Sequence, residues 1–69
     1  MLHFQLVEKD DIAQHNEYFE VHTTQDDAHH KSLFFTTNEE NLEEVAAAIA
    51  AEHMPNAKHW TIIPHRKDS

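Results

Sequence analysis

TNEENLEEVAAAIAAEHM, residues 37–54, is the longest periodic stretch in this chain and decides what fold it can take. Leu42, Val45, Ala46, Ile49 and His53 recur at helical spacing, so one side of a helix faces a core. The alanines add strong helix propensity. Thr37, with Glu40 three residues later, has the pattern of a capping box, and Asn38 is the rival cap. Glu39, Glu40, Glu43 and Glu44 crowd the first turns, where the helix dipole favours negative charge. Pro55 biases its predecessor out of helical geometry and ends the helix near Met54.

On either side of this helix the periodicity changes to two. Leu2, Phe4 and Leu6 alternate with His3 and Gln5, which predicts a half-buried strand over residues 2–7. Phe19 and Val21 alternate with Tyr18, Glu20 and His22 in a second strand, 17–23. The aromatic and β-branched run SLFFTT, 32–37, suits a third, with its facing open because Leu33, Phe34 and Phe35 are all apolar. KHWTIIP, 58–64, reads as the last strand. Residues 8–16 are polar and read as a connection, and QDDAHHK, 25–31, reads as the turn between strands two and three. The acids and histidines of that turn, Asp26, Asp27, His29 and His30, are candidate secondary metal ligands.

The fold class is therefore α+β: a two-layer β-β-β-α-β domain with a four-stranded, mainly antiparallel sheet and one helix on one face. The first three strands can form a meander, and a right-handed crossover through the helix then places the last strand beside the first, in the order 4-1-2-3. Order 1-2-3-4 is the rival. The helix-facing set is Leu2, Phe4, Leu6, Phe19, Val21, Trp60 and Ile62, under Leu42, Val45 and Ile49. All 69 residues form one domain, with 64–69 as a frayed tail.

Composition removes several function classes. Without cysteine there are neither disulfides nor thiolate metal sites. Without glycine there is no phosphate-cradling loop. The N-terminus has no basic segment leading into an apolar run, and no apolar stretch reaches the roughly 20 residues of a membrane span, which predicts a cytoplasmic protein without membrane contact. A formal charge of −8 opposes direct nucleic-acid binding and favours a basic partner or simple solubility. Eight histidines would offset most of that charge on protonation.

No catalytic motif is legible, and the chain reads as a non-enzyme. The serines, Ser32 and Ser69, lie in no nucleophile elbow, and Asp10/Asp11 and Asp26/Asp27 are adjacent carboxylates in loops that do nothing to separate their pKa values. What the pattern does supply is a sheet face without a helix. Val7, Tyr18, Glu20, Thr61 and Ile63 on that face form a candidate partner-binding surface, and a homodimer is the commonest way to cover one. His3, His22 and His59 fall at one end of the same face in the 4-1-2-3 order. Three imidazoles match the ligand count of a zinc site with one open position, although no common zinc spacing is present.

Three functions are therefore expected, in order. The first is a small adaptor or regulator that binds a protein partner through the open sheet face. The second is an acidic inhibitor that mimics nucleic acid in a basic groove, of the kind phages and mobile elements encode, using Glu8, Asp10, Asp11, Glu39, Glu40, Glu43 and Glu44. The third is a histidine metal-binding protein.

Overall fold

The computed structural model describes residues 2–26, 29–57 and 59–67. Strand β1 (Phe4–Val7) leads through a 3-10 helix (Lys9–Gln14) into β2 (Glu17–Asp26), which turns into β3 (His29–Thr37); helix α1 (Leu42–His53) and β4 (Trp60–Arg66) follow. The α+β architecture is the expected one: a four-stranded antiparallel sheet with one helix packed on it.

The strand order is β1-β3-β2-β4 instead of 4-1-2-3. β3 pairs with β1 on one side and β2 on the other, and β4 pairs with β2. Residues 8–16 do not link neighbouring strands but carry the chain from β1 past β3 to β2. β1 is only four residues long, so nine residues with a 3-10 turn can carry the chain past β3. The run Leu33-Phe34-Phe35 also has a reason in this order, because a central strand is covered on both faces and reads as a continuous apolar run.

Two crossovers build the layers. A connection between strands running the same way is right-handed in about 98% of cases. In this order that rule sends β3 to β4 over one face, through α1, and β1 to β2 over the opposite face. Val7, on the face opposite α1, is accordingly buried at 7% exposure.

The core lies under α1. Val21, Phe35, Val45, Ala46, Ile49, Ala50 and Met54 are buried together, with Leu2, Phe4, Phe19, Leu33, Ala57 and Ile62 packed around them. Phe19 and Phe35 pack with ring centroids 5.5 Å apart and planes tilted by 31°. Three residues of the expected set fall outside: Leu6 and Trp60, on the two edge strands, are each 37% exposed, and Leu42, at the first position of α1, is half-buried and apart from the cluster. Thr23 is buried, and its hydroxyl donates to the His59 carbonyl, tying β2 to the lead-in of β4.

The helix cap is neither Thr37 nor Asn38. Asn41 takes that place, its Oδ1 accepting from Glu44 N at 3.2 Å. Thr37 instead donates to the His3 carbonyl and accepts from Glu39 N, closing β1 against the end of β3. Glu39 and Glu40 therefore precede the helix, and only Glu43 and Glu44 lie in its first turn. Asn41→Ala is expected to cost about 1 kcal/mol of stability, measurable as a lowered urea midpoint.

β4 runs through Pro64 to Arg66, so residues 64–66 are strand and not tail. Proline is tolerated there because β4 is an edge strand, whose outer N–H groups have no ladder partner to lose. Strands β2 and β3 likewise continue to Asp26 and from His29, so most of QDDAHHK is hairpin. Asp27 lies outside the described residues, as do the side chains of Asp26, His29 and His30.

Candidate functional site

The sheet face opposite α1 is read directly from the register. One row crosses the whole sheet as Val7, Phe34, Glu20 and Ile63. The row beside it sets Tyr18 opposite His65, and the row on the other side sets Ser32, His22 and Thr61 in line. All five residues expected on this face are there. Val7 is covered, whereas Tyr18, Glu20 and Ile63 are half-buried and Thr61 is exposed. Phe34 and His65 join them, and both were missed: Phe34 because β3 is apolar in both parities, His65 because the strand was ended at Pro64.

Three rings form a cluster on this face, toward the end where β2 begins and β4 finishes. Tyr18 lies flat on His65, with centroids 4.8 Å apart and planes 12° apart. Phe34 meets Tyr18 edge-on at 5.8 Å and His65 at 6.4 Å. Offset-stacked and edge-to-face contacts of this kind hold aromatic rings in fixed geometry.

Glu20 anchors the polar side of the cluster. His65 Nε2 donates to its Oε1 at 2.8 Å, and Ser32 Oγ donates to its Oε2 at 2.8 Å. His22 Nδ1 lies 2.9 Å from Ser32 Oγ and 3.7 Å from Glu20. A hydroxyl has one hydrogen, and that of Ser32 is given to Glu20, so Nδ1 of His22 must donate to the oxygen. The direction of these bonds matters for chemistry. A nucleophilic serine needs a base to take its proton, whereas here the acceptor is a carboxylate whose pKa is held down.

That lowering has competing causes. Burial raises the Glu20 pKa, but the hydrogen bonds from Ser32 and His65 and the positive charge of His65 and His22 outweigh it. The carboxyl therefore titrates below its ordinary value of 4.5. A depressed acid contributes stability that is present above the unfolded-state pKa and lost as pH falls through the folded one. Thermal melts taken from above pH 4.5 downward are expected to show this loss, and Glu20→Gln should make that acid limb shallower.

Comparison with protein-family models, with curated proteins and with solved structures gives no match. The geometry of the chain itself is what function must be argued from.

The expected metal triad does not assemble. β1 and β4 are opposite edges of the sheet. His3 precedes β1 at the end where β3 finishes, and His59 precedes β4 at the other end, beyond the Thr23–Trp60 pair. His22 sits between them on β2, engaged with Ser32. Among the described residues, no group of three histidines or acids is placed to hold a metal ion.

The seven candidate acids occupy the two crossovers. Glu8, Asp10 and Asp11 flank and open the 3-10 helix, and Glu39, Glu40, Glu43 and Glu44 lead into α1. All but Glu39 are exposed, and Glu39 accepts from His3 N at 2.9 Å. Among the described residues no helix is long and apolar enough to cross a membrane.

Proposed function

We propose that the protein is a non-enzymatic interaction module that holds a protein partner, first of all a second copy of itself, against the sheet face opposite α1. The observation that carries this proposal is the Tyr18–Phe34–His65 ring cluster beside Ile63, half-buried on that face. Aromatic residues are enriched at protein contact surfaces. A two-fold axis through the β2–β4 half would place the same patch on itself. Val7 is buried at the β1 side of the patch and takes no part in contact. Glu20 lies within the patch, between Phe34 and Ile63, with its carboxylate held by His65 and Ser32, and Thr61 supplies the polar edge. An adaptor or regulator acting in the cytoplasm is the role that goes with such a surface.

Sedimentation velocity over a wide concentration range tests it. The wild-type chain is expected to shift from monomer to dimer as concentration rises, and Ile63→Lys to stay monomeric with an unchanged circular dichroism spectrum. A wild-type chain that remains monomeric throughout would remove the homodimer.

The second reading, an acidic mimic of nucleic acid, draws on the six exposed carboxylates of the two crossovers. Against it, Glu43 and Glu44 already serve the helix dipole. Salt separates the two: binding through carboxylates weakens steeply as ionic strength rises, and binding through the ring cluster does not.

A further inference from the structure

A second surface lies at the other end of β4 and on the other side of the sheet. Glu43 and Ala47 of α1 and His59, Trp60, Thr61 and Ile62 of the β4 segment line an open groove. We infer that this groove takes an extended segment of a partner protein, added to β4 as a fifth strand, with an apolar and a basic side chain two residues apart. This goes beyond the open-face contact: Trp60 and Ile62 face the α1 side of the sheet, and Thr61, on the edge strand, borders both surfaces.

The backbone argument starts from Pro64. In an antiparallel ladder, directly opposed residues alternate between pairs that exchange both N–H···O bonds and pairs that exchange none. Pro64 opposes Phe19 and has no N–H, so that pair is of the second kind. Alternation then makes Ile63 and Thr61 the bonded partners of Glu20 and His22, and turns the N–H and C=O groups of Ile62 and Trp60 outward. No strand among the described residues flanks β4 on that side. Two consecutive outward sites of this kind are what strand addition uses. The missing N–H at Pro64 ends the template and confines an added strand to the stretch beside the groove.

The side-chain argument selects the occupant. In an added strand, residues two apart point to the same side of the sheet, here into the groove. Ile62 and Ala47 offer an apolar wall, and Trp60 is one of the two exposed large apolar residues among those described, at 37%. Glu43 is exposed on the same groove. An indole beside a carboxylate suits a lysine or arginine, by cation–π attraction and ion pairing together. The net charge of −8 draws basic segments toward the chain at long range.

Trp60 is the sole tryptophan, so its fluorescence reports on the groove without a label. The full-length chain is titrated with the acetylated, amidated peptide Thr-Val-Thr-Lys-Thr-Val. Two variants of the peptide serve as comparisons: one with Glu in place of Lys, and one N-methylated at both valines and the lysine. A saturable shift in Trp60 emission is expected with the lysine peptide and neither variant. Glu43→Gln should weaken that binding by roughly two- to fivefold, the worth of one exposed ion pair. Absence of a saturable shift with the lysine peptide overturns the proposal. Equal binding of the N-methylated peptide overturns strand addition, and equal binding of the glutamate peptide overturns the basic partner.

Discussion

Phe35→Ala is expected to leave the chain unfolded or nearly so at 25 °C. Phe35 has no exposed surface, packs against Phe19, and sits at the centre of the layer between the sheet and α1. Truncating a buried phenylalanine costs about 3–5 kcal/mol, from lost transfer energy and the cavity left behind. A chain of 69 residues holds about 3–10 kcal/mol in total at the usual 0.05–0.15 kcal/mol per residue. The loss is therefore comparable with the whole stability. Phe34→Ala, one position along, is the control. Phe34 lies on the opposite face and is only half-buried, so that variant should keep a cooperative urea transition at a modestly lower midpoint. If the two variants unfolded alike, the assignment of β3 side chains to faces would be wrong.

Met54→Ala is the second large loss, about 2–5 kcal/mol for removing a buried methionine side chain. Met54 is 1% exposed and belongs to the core cluster, although it stands just beyond the last helical residue. Its backbone N–H still bonds to the Ala50 carbonyl at 2.8 Å, which turns the side chain back under α1. His53, which helical spacing alone assigns to the core, is exposed. Among the described residues its side chain lies beside Glu52, at 4.0 Å. His53→Ala should therefore stay within about 0.5 kcal/mol of wild type. Chemical denaturation of the pair decides it, and a His53→Ala loss as large as that of Met54→Ala would show the helix rotated from its described position.

These two residues mark how far local pattern reaches. The 3.6-residue period placed Val45, Ala46 and Ile49 correctly, because helix geometry is set within a few residues and the core face follows from it. At the helix end the period no longer applies, and the choice between His53 and Met54 depends on how the chain leaves the last turn. The cap shows the same limit. Thr37, Asn38 and Asn41 are all competent N-caps by chemistry, and Asn41 takes the place once Thr37 is committed to closing β1 on β3.

On the sheet, alternation alone put Tyr18, Glu20, Thr61 and Ile63 on one face and Phe19, Val21 and Ile62 on the other. A period of two is a property of the extended backbone and survives any strand order. Phe34 was illegible for the opposite reason, since an apolar run carries no parity. His65 was lost because Pro64 looked like a strand end, and only the edge position of β4 explains why the strand passes through it.

The sequence by itself determined the α+β class, the place of the helix, the faces of three strands and the acidic, cysteine-free and glycine-free character that excludes whole classes of chemistry. These follow from short-range geometry and composition. The tertiary structure alone decided which strands are neighbours. That choice rests on the long-range pairing of β3 with β1 and on a polar crossover whose route no local signal encodes. From it come the separation of His3 from His59, the joining of Glu20 with Ser32, His22 and His65, and the bare edge of β4 beside Trp60.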